Sequence, residues 1–184
     1  MKRLVSVKTI VATAIGAALF FVLGRFVAIP SPVPNTNISV QYGLLAFIAG
    51  LFGPVAGVLA GLIGHFFIDF SYGWGVWWSW VIASGFFGLT MGIISYRLKL
   101  DEGVFDVKRI ILFNVSQVVS HAIAWIVIAP VLDILMFAEP ANKVFLQGVV
   151  GAIFNIITTA IVGTLLCIAY TAAIPKKGSL KEED

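Results

Sequence analysis

Long apolar runs broken by short polar stretches organise this chain. The first runs from Val7 to Ile29 behind Lys2, Arg3 and Lys8. It is long for a signal peptide and has no small-x-small cleavage site before Pro30-Ser31-Pro32-Val33-Pro34, so it reads as a retained helix. The second, Tyr42 to Phe52, would cover only about 17 Å as a helix, which places its start near Asn37 or leaves it crossing incompletely. Gly53-Pro54 marks a sharp turn, with Pro54 suited to the first position of the next helix. A fourth run follows Ser71-Tyr72-Gly73-Trp74-Gly75, and the charged stretch from Arg97 to Arg109 separates it from a fifth. Pro130 and Pro140 bracket a loop before the last long run. The pattern predicts helices over 7–29, 37–52, 54–71, 76–97, 108–129 and 142–173, then a charged tail over 175–184. At about 20 residues per span, this is one all-α membrane domain covering 1–184, a single bundle of six transmembrane helices. No internal repeat of 20 to 50 residues is visible, which gives no support to an inverted-repeat transporter.

Composition fixes the solvent. Of 184 residues, 60% are hydrophobic and 11% charged, with a mean hydropathy of +1.03; a water-soluble globule carries about 25% charged residues. Too little charge remains to cover a surface in water, so the bilayer is the partner. The net charge of +3 does not indicate nucleic acid, because the basic residues are few and stand at the ends of apolar runs. Lys2, Arg3, Lys8, Arg97, Lys99, Lys108, Arg109, Lys176, Lys177 and Lys181 share one side of the predicted topology, leaving Arg25 and Lys143 on the other. That asymmetry places both termini in the cytoplasm, as expected of a multi-pass cell-membrane protein. The lone cysteine, Cys167, rules out a disulfide framework and a cysteine-cluster metal site.

Polar side chains inside a bilayer are costly, about 2.5–3.5 kcal/mol for a central charge on insertion scales, so their placement is informative. His65 and Asp69 stand four apart; Asn114, Gln117, His121 and Trp125 follow spacings of three and four; Lys143, Gln147, Gly151 and Asn155 recur every four. Three helices thus carry polar stripes. They approach polar or aromatic loops holding Asn35, Asn37 and Gln41, then Tyr72 to Trp80, then Asp133, Glu139 and Asn142. The convergence suggests an outward-facing pocket for a polar small molecule, and its tryptophans suit a planar heterocycle. The tryptophans at 74, 77, 78 and 80 also fit an aromatic belt, and Gln117 and Asn155 also fit interhelical hydrogen bonding.

Other chemistries have weaker footing. His65, Asp69 and His121 offer metal-ligand types without a paired motif. Ser84 and His121 invite an intramembrane serine protease, but the glycine expected two residues before that serine is Ile82. No phosphate-binding Gly-Lys-Ser/Thr loop is present, so the chain has no ATPase site of its own, and no cofactor or resident metal is expected. Catalytic residues are accordingly not assigned. A stand-alone small-solute transporter or channel is the alternative function. In the first helix, Ala12/Gly16 and Ala14/Ala18 form overlapping small-x-x-x-small pairs, which permit close approach of another helix. That helix belongs either to this chain or to another membrane protein.

Several segments together resemble the substrate-binding S component of energy-coupling factor (ECF) vitamin transporters, in the group classed with riboflavin-type S components. They are Gly24-Arg25-Phe26-Val27-Ala28-Ile29-Pro30, Pro34-Asn35-Thr36-Asn37-Ile38, Gly64-His65, Trp77-Trp78-Ser79-Trp80-Val81, Ile128-Ala129-Pro130 with Leu132-Asp133-Ile134, and Glu139-Pro140-Ala141-Asn142-Lys143-Val144-Phe145. The resemblance spans nearly the whole chain. It implies a six-helix subunit that captures a water-soluble vitamin or related compound outside and delivers it by associating with a transmembrane coupling subunit and two cytoplasmic ATP-binding subunits. The family's Ala-x-x-x-Ala docking motif matches Ala14 and Ala18, with Gly16 between. The family's site, formed by the first outer loop and the outer parts of helices four to six, corresponds by position to Asn35, Asn37, Trp77, Trp80, His121, Trp125, Asp133, Asn142, Lys143 and Gln147. Related groups take up riboflavin, cobalamin, pyridoxine or hydroxymethylpyrimidine, so the resemblance does not fix the vitamin.

Overall fold

A computed structural model describes residues 6–73 and 75–174. Trp74, the basic residues Lys2, Arg3, Lys176, Lys177 and Lys181, and the predicted tail lie outside the described residues. Helix α1 covers Val7–Phe26, with the Ser6 hydroxyl accepting the Thr9 amide at 3.1 Å to cap its first turn. Two short strands follow, β1 (Ile29–Pro30) and β2 (Asn37–Ile38), paired antiparallel with Ile29 opposite Ile38. The expected start of the second helix at Asn37 is corrected there. Because β2 occupies residues 37 and 38, helix α2 starts at Gln41 and ends at Phe52. Its 12 residues make a helix of about 18 Å, short of the roughly 30 Å hydrocarbon core.

Gly53, at φ 89°, turns the chain into α3 (Pro54–Tyr72), whose proline sits in the first turn where its missing N–H is not needed. Helix α4 covers Trp78–Ser95 and passes through short 3₁₀ turns at Tyr96–Leu98 and Leu100–Glu102. Asp106 caps α5 (Val107–His121) by accepting the Arg109 amide at 2.9 Å. The final helix, α7, covers Ala141–Ala173.

The predicted break after residue 129 is absent. Past α5 the chain widens into a π-helical segment, Ala122–Ile128, and continues as α6 (Ala129–Phe137). Pro130 enters in the first turn of α6, directly after the π turns, so its missing N–H and its ring interrupt no regular α-helical ladder. Asp133 therefore rides on a helix instead of in a loop. Among the described residues, five helical stretches are long and apolar enough to cross a membrane: Val7–Phe26, Pro54–Tyr72, Trp78–Glu102, Val107–Phe137 and Ala141–Ala173.

Lipid tails are as apolar as leucine, so close packing and hydrogen bonds hold such a bundle. At the α3–α4 crossing, a Cβ on Gly57 would lie 2.5 Å from the Gly88 carbonyl oxygen, and one on Gly88 would lie 2.2 Å from the Gly57 oxygen. Two glycines face to face let the backbones touch. Phe20, Leu45, Phe87, Met91 and Phe113 fill the interior behind them. Helix α7 divides along its length: Phe145, Val149, Ile153, Ile157, Ile161 and Leu165 face out, while Gln147, Gly151, Asn155, Thr159, Gly163 and Cys167 face in. The outward row is apolar and the inward row small or polar, the reverse of a soluble protein's pattern.

Candidate functional site

A cavity of about 570 Å³ opens where the C-terminal ends of α1 and α3 meet the N-terminal ends of α2, α4 and α7. Lys8, Arg97, Lys99, Lys108 and Arg109 stand at the opposite ends of their helices. One wall is aromatic. The indole of Trp80 stacks on Trp125 with centroids 5.5 Å apart and an interplanar angle of 22°, and Tyr42 meets Trp125 edge-on at 5.1 Å. Trp77 stacks in turn on Phe137 at 4.6 Å.

Asp133 fixes this wall. Its buried carboxylate accepts the Trp77 indole N–H at 2.6 Å and the Trp80 indole N–H at 2.7 Å, and also accepts the Ser79 hydroxyl. One carboxylate on α6 thereby ties down the start of α4, using charge-assisted bonds stronger than neutral ones. Trp125 is held from behind: its indole N–H donates to His121 Nδ1 at 2.9 Å, and the other ring nitrogen of His121 bonds Thr159 Oγ1 at 3.0 Å. Since Nδ1 accepts, the proton sits on Nε2 and donates to the threonine.

Below the aromatic wall runs a second polar chain. Ser84 Oγ lies 2.9 Å from the Tyr42 hydroxyl and 2.5 Å from His65 Nδ1, while His65 Nε2 is 3.6 Å from Asp69 Oδ1. Asp69 Oδ2 accepts the Trp77 amide at 2.9 Å. Tyr42, His65 and Asp69 line the cavity, but Ser84 is fully buried behind them. A roof comes from the segment between the two strands and the start of α2: Gln147 Nε2 donates to the Pro34 carbonyl at 2.9 Å, and Thr158 Oγ1 donates to the Ser39 carbonyl at 2.6 Å.

Of the residues expected at the site, Asn35, Asn37, Trp77, Trp80, Trp125, Asp133, Lys143 and Gln147 line this cavity. Two do not. His121 is fully buried between Phe87, at 4.2 Å centroid distance, and Tyr42, and Trp125 one turn on separates it from the opening. Asn142 is exposed on α7 and does not line the cavity, because the lining positions recur at 143, 147, 151 and 155 and residue 142 is rotated about 100° from them. Thr36, Gln41 and Tyr72, in the loops expected to meet there, also line it, whereas Tyr42, Ser39 and Gly24 line it and were missed. Tyr42 reads as part of an apolar run, and only its position at a helix start beside Gln41 hints otherwise. His65, Asp69, Glu139 and Asn155, seen in the sequence as polar stripes and loops, all line it.

Neither of the weaker chemistries finds its expected constellation. The Ser84/His121 pair is not formed, since Ser84 bonds Tyr42 and His65 while His121 bonds Thr159 and Trp125. Among the described residues, no three His, Cys, Asp or Glu side chains gather as metal ligands. On α1, Ala14 and Ala18 are exposed, but Gly16 is buried: a Cβ there would lie 2.7 Å from Ile48 Cδ1 and 3.4 Å from Ala60 Cβ. Gly16 therefore packs inside the bundle, which corrects its placement on a docking face.

The model of the ECF-type riboflavin transporter S component family matches residues 4–172. The chain belongs to that family. Relatives of this S component include a UPF0397 protein of Exiguobacterium sp. (strain ATCC BAA-1283 / AT1b), 57% identical over 176 residues and 96% of each chain, and one of Staphylococcus aureus (strain JH9), 51% identical over 182 residues and 99% of each chain. A solved structure, the S component for biotin from an ECF-type ABC transporter, superposes with a TM-score of 0.56 over 87% of this chain and 91% of that one. At 21% identity, that likeness shows a shared S-component fold.

Proposed function

We propose that this S component is the substrate-capture subunit of an ECF-type importer in the cell membrane. Its six helices, the short α2 among them, place both termini in the cytoplasm, and the subunit takes a vitamin or related small heterocyclic compound from outside and passes it on by docking to a coupling subunit joined to two ATPases. The observation that carries the reading is the cavity of about 570 Å³ walled by the stacked Trp80–Trp125 pair, a volume suited to one ring system of vitamin size. The basic residues at the far helix ends support an outward cavity. Exposed Ala14 and Ala18 support a docking face on α1.

The test is a titration of the purified chain with water-soluble vitamins, followed by tryptophan emission, then uptake into liposomes with and without a coupling module. Saturable binding by the chain alone, and ATP-driven uptake only with the module, are expected. Uptake by the chain alone without ATP would instead establish a stand-alone transporter.

A further inference from the structure

The cavity has more carboxylates than cations on its lining. Besides the phenols of Tyr42 and Tyr72, its ionisable lining comprises three carboxylates, Asp69, Asp133 and Glu139, one ammonium, Lys143, and the imidazole of His65. The ammonium is already engaged by Glu139 at 2.6 Å. Arg25 does not line the cavity; its guanidinium sits behind Tyr72, 4.2 Å from the ring centroid. Among the described residues, no lining cation is thus free of a carboxylate partner. Asp133 is occupied by its two indoles and Ser79, but among the described residues Asp69 Oδ1 accepts no hydrogen bond, with His65 Nε2 lying 3.6 Å away. Two buried amides on the lining, Gln41 and Asn155, each carry a side-chain oxygen without a partner among the described residues, although the side chains are 6% and 5% exposed. Both oxygens are themselves fully buried, so Asp69, partly exposed on the lining, is the acceptor within reach of a ligand.

Resting on the capture-subunit reading above, we infer that this cavity selects a ring bearing an N–H donor edge and no anionic group, an amino-substituted or protonated nitrogen heterocycle, with Asp69 as the acceptor. The ring lies against Trp80 and Trp125 while its N–H groups point to the acceptor side. A carboxylate-bearing analogue would set its charge against Asp69 with the Lys143 ammonium already engaged by Glu139, and specificity against it follows from repulsion.

The test uses the full chain in detergent and ring-matched pairs: pyridoxamine against 4-pyridoxate, and 4-amino-2-methylpyrimidine against 2-methylpyrimidine-4-carboxylate, with mass spectrometry of any co-purified compound. The amine should bind at least ten-fold tighter than its carboxylate partner. Asp69→Asn, which replaces an acceptor oxygen by an NH₂ group, should lower amine affinity about ten-fold and narrow the ratio. Asp69→Ser, which removes the carboxylate and keeps a small polar side chain, should weaken the amine likewise, and provides the second arm where Asp69→Asn does not fold. Equal or tighter binding of the carboxylates, an anionic co-purified ligand, or amine affinity unmoved by both substitutions would overturn the inference while leaving the capture-subunit reading intact. No saturable binding by either class and no co-purified compound would overturn both.

Discussion

The indole N–H of Trp80 donates to the Asp133 carboxylate at 2.7 Å, joining the first turn of α4 to α6 across the mouth of the cavity. The same carboxylate holds Trp77 and Ser79, so the aromatic wall depends on one acidic side chain. Asp133→Ala would orphan three donors, each costing about 1–3 kcal/mol where it stays buried. The expected outcome is a lower unfolding temperature together with at least ten-fold weaker ligand binding, and Asp133→Asn, which keeps one acceptor, should fall between. Thermal unfolding followed by tryptophan emission checks both; unchanged values for Asp133→Ala would remove its role as organiser.

Lys143 lines the cavity but already bonds Glu139, with its side chain 44% exposed. Exposed ion pairs contribute about 0–1 kcal/mol. Lys143→Ala should therefore shift the unfolding free energy by less than about 1 kcal/mol, and amine-type ligands should bind within about three-fold of the wild type. A ten-fold loss in a titration would mean that the ammonium leaves Glu139 to contact the ligand.

These two residues show what the sequence made legible. Spacing of four along α7 placed Lys143, Gln147, Gly151 and Asn155 on one face, and the structure keeps them together because an unbroken helix preserves its register over 33 residues. The same logic failed on the fifth run. There a π-helical segment spanning Ala122–Ile128 shifts the register, and α6 continues through Pro130, so Asp133 is delivered to the cavity from a helix that the proline had argued against. His121 belonged to a legible stripe, but which member of a stripe faces the opening and which lies a layer behind depends on what packs over it, and Trp125 covers it.

Gly148 bears on that shifted register. A Cβ there would come within 2.1 Å of the Trp125 carbonyl oxygen and 3.1 Å of Pro130 Cγ, so α7 rests directly on the π segment. Overpacking a tight contact costs about 1–3 kcal/mol. Gly148→Ala should lower thermal stability by that amount and weaken binding in parallel, because pushing α7 away moves Trp125 and Asn155 apart. Loss of stability with intact affinity would show that the cavity tolerates displacement of its walls.

On α1, the helical period separates two sets of small residues. Ala14 and Ala18 are four apart and share the exposed face, whereas Gly16, about 200° around the helix from Ala14, meets Ile48 and Ala60 inside the bundle. Bulk on the two faces should have opposite consequences. Ala14→Trp adds a side chain where only lipid or a partner subunit can lie, so the purified chain should keep its ligand affinity within about two-fold and its unfolding temperature, yet lose ATP-driven uptake when reconstituted with a coupling module. Gly16→Val would force its Cβ to within 2.7 Å of Ile48 Cδ1 and should destabilise the bundle before any partner is added. Measuring unfolding, ligand affinity and uptake on both variants separates the faces. Normal uptake by Ala14→Trp would move the docking surface away from α1, and a stable, transport-dead Gly16→Val would return Gly16 to it.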